Sequence, residues 1–451
     1  MSDNLEKFGY EQELKRSLPF RDVLIYGMIF MVPIAPMGIY GFVAKDAYGM
    51  VPLVYLVGVF AMIFTALSYA RMSERFPISG SVYAYVQHGI NPHIGFLAGW
   101  VIMMDYILTP ALLYSMAGIW LSSIVTGTSP WIWVLLFIAI NTVINIRGIE
   151  FTAKANMIML IIELAALAIF IVAGIYFVVQ GGGAGGFTLA PFFQPGKINP
   201  AFLATATSIA VLSFLGFDAI STLAEETNNA QKMIGRATIT ALFLMGTIFI
   251  VQTYVAAIVV PDATTLNPDT AFFEIAGIAA GEWFKTLLTV VNIIAVGIAN
   301  TLAAQAGMSR VLYSMSRDKA MPAIFGKIHP KYKTPYMATL FVAGFSILVL
   351  LVTSLKIDVL AKFVNFGALT SFVVLNFTVF WFFFVREKNH NYFRYLILPW
   401  LGIFVIGFVW FGFDPMTKVV GFIWLAIGVI YGAIQSKGYK VVPDAFKNTK
   451  L

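Results

Sequence analysis

Three acidic residues lie inside stretches that are otherwise apolar enough to cross a bilayer: Asp105, Glu163 and Asp218. A carboxylate at the centre of a membrane-spanning helix costs about 2.5–3.5 kcal/mol of insertion free energy. Residues of this kind therefore mark ion or substrate pathways more often than simple packing. The chemistry open to them is the binding of a cation or the exchange of a proton.

Two of the apolar stretches are also interrupted. Residues 33–41 (PIAPMGIYG) contain two prolines, which lack a backbone donor, and two glycines, which loosen a helix. Residues 213–218 (SFLGFD) place Gly216 two positions before Asp218. Interrupted helices at corresponding positions of two halves of a chain are typical of the binding site of a transporter.

The composition predicts an integral membrane protein, since 59% of the 451 residues are hydrophobic, 11% are charged and the mean hydropathy is +0.84. The chain has no cysteine, and its four histidines fall in predicted loops. We therefore expect no disulfide, no metal centre and no cofactor. Residues 1–21 are polar and lack the apolar core of a signal peptide, so the first apolar helix should stay in the mature protein.

At about 20 apolar residues per crossing, the sequence predicts an all-α fold of about twelve transmembrane helices. The predicted helices are 22–44, 51–70, 94–125, 131–149, 155–179, 201–224, 237–260, 284–313, 336–354, 359–384, 395–413 and 417–435. The interruptions fall in the first and sixth helices. If helices one to five and six to ten are repeats of opposite orientation, the two interruptions meet near the midplane.

Positive charge predicts the orientation. With both termini in the cytoplasm, only six of the 29 lysines and arginines fall on the outer side, as the positive-inside rule requires. The net charge of +7 then needs no nucleic acid, because contact with anionic lipid headgroups accounts for it. We expect a multi-pass protein of the cell membrane, with cytoplasmic tails at 1–21 and 436–451, a transport core at 22–384 and two additional helices within 385–435.

Two connections stand out. Residues 181–186 (GGGAGG) lack the Lys-Ser/Thr of a phosphate-binding loop and are interpreted as a flexible linker. Residues 261–282 carry four acidic residues and no basic one, and they are long enough for a short helix that forms an external lid.

Several motifs resemble the amino acid/polyamine/organocation (APC) transporters: residues 213–227 (SFLGFDAISTLAEET), 74–77 with 80–85, and 309–313 followed by Arg317 and Asp318. The resemblance covers essentially the whole chain. It implies a LeuT-like fold, with a five-plus-five inverted repeat and two extra C-terminal helices. Residues 91–96 (NPHIGF) and 365–369 (NFGAL) are similar to the bacterial putrescine importer group. Those importers carry an aspartate in the first interruption where this chain has Gly38, which favours an amino acid substrate.

The predicted substrate site combines both interruptions with the middle of helix three. Amides freed near Gly38 can bind a carboxylate, and carbonyls freed near Ser213 and Phe214 can accept an ammonium. Asp218 either pairs with a substrate cation or caps the second half of helix six. Asp105 either faces the substrate or is bonded to its neighbours. The predicted substrate-binding residues are Pro36, Met37, Gly38, Ile39, Tyr40, Gly41, Asp105, Tyr106, Ser213, Phe214, Gly216, Phe217 and Asp218, with Tyr40 and Phe217 as gates.

Glu163 is the predicted proton-coupling residue, with Asn300 and Thr301 facing the same region. It falls near the place on helix five where some proton-coupled members of the resembled superfamily have a lysine in place of bound sodium. Its alternative role is packing. Glu225 and Glu226 are interpreted as one half of a cytoplasmic latch that pairs with Arg75 or Arg236, with a solvated loop as the alternative.

The function predicted from these residues is proton-coupled import of an amino acid by alternating access. A putrescine or polyamine importer is the alternative within the same class. An ion channel would need pore-lining rings or a filter, and no such repeated motif is present. An enzyme would need a nucleophile, base or metal constellation, which these residues do not supply.

Overall fold

The computed structural model describes residues 17–78, 81–148, 153–317 and 321–440 of the chain. Over these residues the chain is helical, and its extended pairing is limited to an isolated bridge between Leu18 and Thr227. The predicted tails 1–21 and 436–451 lie mostly outside the described residues. Gly80 and Asp318 of the sequence motifs also lie outside them.

Twelve helices of the described part are long and apolar enough to cross a membrane, as the sequence predicts. We number them span 1 to span 12 in chain order. Their bounds are Phe20–Gly38, Val51–Arg75, Pro92–Ile124, Pro130–Arg147, Met157–Val179, Pro200–Leu223, Ala230–Val259, Glu282–Tyr313, Tyr336–Thr353, Ile357–Arg386, Phe393–Phe411 and Pro415–Gln435. We call the face of the bundle where span 1 begins the N side, and the opposite face the far side.

The spans form two groups around the centre. Span 7 packs along span 2 and against the interrupted spans 1 and 6, whereas spans 3, 4, 8 and 9 pack on one another. Span 10 lies against span 3, and spans 11 and 12 are added at the edge. Because each half contains five spans, an odd number, the second half starts on the opposite face from the first. The interrupted span is the first in each half.

Span 1 is interrupted where its prolines lie. The helix Phe20–Met31 ends at Val32, which has a φ of 53°, and Pro33 follows. A short 3₁₀ turn, Ala35–Gly38, precedes a second helix at Tyr40–Asp46. The prolines offer no amide hydrogen, so the regular helical bonds are lost here.

Span 6 is interrupted at Gly216. The helix Pro200–Ala210 tightens into a 3₁₀ turn, Val211–Phe214, and a second 3₁₀ segment runs over Phe217–Leu223. Gly216 between them has a φ of 108°, and a Cβ there would lie 2.9 Å from the carbonyl oxygen of Phe30. Glycine is therefore required both for the backbone angle and for the close approach. The two interruptions meet at this contact.

The connection between spans 7 and 8 covers the far side, and it contains the short helix expected there. This helix is Ala271–Ala280, preceded by a 3₁₀ turn at Ala263–Thr265. A Cβ on Gly41 would lie 2.5 Å from the Pro268 backbone, so the connection rests directly on the second half of span 1. A further helix, Ser81–Gly89, links spans 2 and 3 on the N side.

Candidate functional site

A cavity of about 360 Å³ lies between spans 1, 3, 6 and 8, and both interruptions contribute to its wall. The wall is mainly apolar. Its polar side chains are Tyr26, Asp105, Tyr106, Thr109, Trp120, Ser213, Asp218, Thr222, Asn292 and Asn300. Within the described part of the chain, two carboxylates and no lysine, arginine or histidine line it. This charge pattern favours a cation over an anion.

The cavity is closed on the far side. A Cβ on Gly38 would lie only 3.0 Å from the Trp120 ring, and the Trp120 indole donates a 3.0 Å hydrogen bond to the Asp269 carbonyl. Toward the N side the wall continues along span 8 to Val311, and Ala303 and Gly307 are exposed along it. The structure therefore shows a cavity that opens toward the N side.

Asp105 is the cavity carboxylate with free capacity to accept a hydrogen bond. It is only 8% exposed, and the Thr109 hydroxyl one turn further along span 3 lies 2.9 Å from its Oδ1 and 2.8 Å from its backbone carbonyl, so these two acceptors share one proton. Its Oδ2 has no donor among the described residues. A buried carboxylate oxygen that faces a cavity without a protein partner is suited to receive a donor from a ligand.

Asp218 has protein donors at both oxygens. The Gly216 amide lies 3.3 Å from Oδ1, and the Tyr106 hydroxyl lies 3.5 Å from Oδ2. The first bond is local to the interruption: Asp218 lies inside the segment Phe217–Leu223 and accepts from the amide of Gly216, the residue that precedes that segment. The second is long and links span 3 to span 6. Asp218 is thus held by protein donors on both oxygens, but it is not the N-cap residue of the second half of span 6, which is Gly216.

The structure brings only part of the first interruption to the cavity. Gly38 lines it, whereas Pro36, Met37, Ile39, Tyr40 and Gly41 do not. The buried Tyr40 ring packs edge-on against Phe272, with centroids 5.5 Å apart. Tyr40 and Gly41 therefore contact the far-side cover, and Tyr40 does not face a ligand in this conformation.

Only part of the second interruption lines the cavity as well. Ser213 and Gly216 line the cavity, and the Ser213 hydroxyl lies 2.8 Å from the Tyr55 hydroxyl. Phe214 is fully buried beside Tyr55, and Phe217 packs between Tyr69 and Phe372. Phe217 is thus part of an aromatic cluster behind the cavity wall, away from the position expected of a gate.

Glu163 lies next to the main cavity in a pocket of its own. The residue is 7% exposed and faces a space of about 70 Å³. Asn300 borders both spaces, as do Tyr26, Phe30, Val32 and Ala303. Thr301 borders neither space, and its hydroxyl donates to the Val296 carbonyl at 2.6 Å, in the π-helical segment Ile293–Asn300 of span 8. A π-helical segment frequently marks a functional region of a helix.

The predicted latch needs correction at Arg75. Its guanidinium pairs with Glu387 at 3.0 Å and lies over the Phe382 ring, rather than pairing with Glu225 or Glu226. The reason is that the π-helical end of span 10, Phe380–Arg386, carries Glu387 to the end of span 2. Glu225 and Glu226 are partly buried, and the Glu226 carbonyl accepts the amides of Ser17 and Leu18. Arg236 is exposed near the start of span 7.

Several residues of the site were not predicted. Trp120 and Asn292 line the cavity, and Asn292 donates to the Met37 sulfur at 3.5 Å. Gln252 donates to the Pro33 carbonyl in the first interruption, and Asn365 donates to the Ser208 carbonyl in the last helical turn before the second. A polar amide within an apolar span was the available signal, but it does not show which of the many buried amides reaches an interruption.

The twelve spans, the paired interruptions and the central cavity define a membrane transporter. The sequence matches the amino acid permease family over residues 33–435. It is 32% identical to the low-affinity putrescine importer PlaP of Escherichia coli strain K12 over 446 residues, which is 98% of each chain. It is 26% identical to the branched-chain amino acid permease BcaP of Bacillus subtilis (95% and 94% covered) and to the methylthioribose transporter of the same organism (98% and 97%).

The chain belongs to the amino acid permease family, within the APC superfamily. Its fold is accordingly the LeuT-like inverted repeat with two added spans. It is a multi-pass membrane protein and a transporter of amino acids or polyamines, and it is not an enzyme.

Proposed function

We propose that this protein imports a small organic amine cation, with a diamine such as putrescine as the first candidate. The proposal rests on Asp105, a buried carboxylate whose Oδ2 has no donor among the described residues, in a cavity that no basic residue lines within the same part of the chain. An ammonium group can form a charge-assisted hydrogen bond with that oxygen. The name of the putrescine importer that spans the whole chain supports the same substrate class.

A neutral amino acid is the second candidate, and Gly38 favours it. The first interruption contributes no carboxylate to the cavity, so a second ammonium has no obvious acidic partner there. An amino acid would place its ammonium at Asp105 and its carboxylate near the first interruption. The branched-chain amino acid permease among the relatives supports this class.

We further propose that protons drive import through Glu163. Its carboxyl group is buried beside the main cavity, and Asn300 borders both spaces. A carboxyl group at such a place can bind and release a proton as the spans move and its surroundings change. The proximity of the two spaces gives a physical route for coupling a proton to the substrate.

The N side is proposed to be the cytoplasmic face of the cell membrane. The distribution of lysine and arginine supports this orientation. The cavity then represents the inward-open state, and the cover made by Ala271–Ala280 lies outside.

The test is uptake into proteoliposomes under an inward proton gradient, with labelled putrescine and a labelled amino acid mixture in parallel. We expect putrescine to accumulate, to compete with unlabelled putrescine, and to be lost on addition of a protonophore. Accumulation of amino acids alone would replace the first candidate with the second. Accumulation of either that is insensitive to the protonophore would contradict proton coupling.

A further inference from the structure

Two fully buried amide side chains from neighbouring spans donate to the backbone of the interrupted spans, one within the first interruption and one in the last helical turn before the second. Gln252 of span 7 donates from Nε2 to the Pro33 carbonyl at 2.9 Å. Asn365 of span 10 donates from Nδ2 to the carbonyls of Ser208 and Ile209, at 2.8 and 3.2 Å.

Each of these carbonyls has lost the donor that a regular helix would provide. The Met37 amide would serve Pro33 in an α-helix, but it bonds to Ile34 at 3.0 Å in the 3₁₀ turn. Ser208 and Ile209 lie in the last turn of the helix Pro200–Ala210, where carbonyls lack the donor four residues on that a regular helix provides, and the Ile209 carbonyl accepts the Val211 amide instead. Gln252 and Asn365 therefore replace backbone donors that the interruptions remove.

The oxygen atom of each amide side chain, in contrast to its NH₂ group, forms no hydrogen bond. Gln252 Oε1 and Asn365 Oδ1 are buried and have no hydrogen-bond partner among the described residues. An unpaired buried oxygen is costly, so an apolar residue would be the better choice if only packing mattered. The hydrogen bonds donated by the NH₂ groups must therefore stabilise the protein by more than the buried, unpaired oxygens destabilise it.

We propose that Gln252 and Asn365 are positioning residues that hold the two interrupted spans in their binding geometry and occupy their freed carbonyls. The carbonyls of Pro33, Ser208 and Ile209 are then engaged by protein donors, and the carboxylate of Asp105 remains the proposed partner of a substrate ammonium. This inference rests on the proposed function for the identity of the ligand. In this proposal, spans 7 and 10 stabilise the geometry of the site that spans 1, 3, 6 and 8 line.

The test compares Gln252→Leu and Asn365→Leu with two matched controls. Thr253→Val removes a buried bond within span 7, from Thr253 to the Phe249 carbonyl. Asn376→Leu removes a buried amide of span 10 that bonds to Thr65 of span 2. Neither control touches an interruption.

Putrescine uptake by the full chain in proteoliposomes is measured for KM and maximal rate, and thermal stability in detergent is measured in parallel. Gln252→Leu and Asn365→Leu should raise KM by about tenfold or more, because the interruption loses a fixed bond. The controls should lower thermal stability comparably and leave KM within about twofold of wild type. An unchanged KM in both test variants, or an equal rise in the controls, overturns the proposal.

If the leucine variants do not yield folded protein, Gln252→Asn keeps the amide but shortens its reach. It should raise KM as well, and a wild-type KM would overturn the role of Gln252. If wild type accumulates amino acids and not putrescine, the proposed substrate fails. The same four variants are then compared with that amino acid, so the positioning role is judged separately.

Discussion

Gly38 and Trp120 meet at the closed end of the cavity, where a Cβ on Gly38 would lie 3.0 Å from Cζ2 of the indole. The indole has little freedom to move away. Its Nε1 is bonded to the Asp269 carbonyl, and its ring packs edge-on against Phe273 with centroids 5.3 Å apart. The first interruption therefore has no room here for a longer side chain.

Gly38→Asp alone should abolish or strongly reduce uptake, because the carboxylate would collide with the Trp120 ring. The double variant Gly38→Asp with Trp120→Leu supplies the space and adds an acidic group. It should favour putrescine over butylamine more strongly than wild type does. The measurement is the ratio of the two inhibition constants in an uptake assay. Full activity and unchanged selectivity of Gly38→Asp alone would contradict this account, and Trp120→Leu alone is the control.

Much of the fold follows from the sequence because long apolar stretches in a membrane can form little other than helices. Pro33, Pro36 and Gly216 also mark the interruptions, since their backbone chemistry is local. The direction of a side chain, in contrast, depends on packing against residues that are distant in the sequence. Nothing in the sequence around Phe217 distinguishes a gate from a residue packed on Phe372.

The partners of the site were predictable only in part for the same reason. Asp105 and Asp218 are conspicuous because a carboxylate is rare in an apolar span. The pairing of Arg75 with Glu387 joins positions far apart in sequence, and it depends on how far the end of span 10 extends. The hydrogen bonds of Gln252 and Asn365 also join positions far apart in the sequence, so the sequence alone does not predict them.

Glu163→Gln should uncouple transport from the proton gradient. Glutamine keeps the shape of the side chain but cannot release a proton, so accumulation driven by a gradient should be lost. Exchange of labelled for unlabelled substrate, which needs no net proton movement, should remain. Thr301→Val is the control, because its hydroxyl bonds only within span 8. If Glu163→Gln still accumulates substrate at the wild-type level under the gradient, Glu163 does not couple protons to transport and its role is packing.

The direction in which the cavity opens is testable because the chain contains no cysteine. Gly307 lines the cavity, and a Cβ there would meet no atom within 4 Å. We expect Gly307→Cys to react with a charged, membrane-impermeant thiol reagent applied from the N side, and substrate to slow the reaction. Gly344→Cys is the matched control, since Gly344 also has open space but lies outside the cavity. Equal labelling of both cysteines would contradict the opening described.

The ion pair between Arg75 and Glu387 should contribute little to stability. Its side chains are 52% and 33% exposed, and exposed pairs are usually worth at most about 1 kcal/mol. A double-mutant cycle with Arg75→Ala and Glu387→Ala, followed by thermal unfolding in detergent, measures the coupling. A coupling well above about 1 kcal/mol would show that this contact fastens spans 2 and 10 far more firmly than its exposure indicates.

Substrate recognition by Asp105 is tested most directly by the affinity of the purified protein for putrescine before and after Asp105→Asn, measured by isothermal titration calorimetry. Asparagine keeps the volume and removes the charge that is proposed to bind the ammonium. Putrescine binding should weaken by about thirtyfold or more, the loss expected for one member of a buried charged pair, and the thermal stability of the variant should stay close to wild type. Unchanged putrescine affinity in a folded Asp105→Asn protein would contradict the proposal that this carboxylate recognises the substrate.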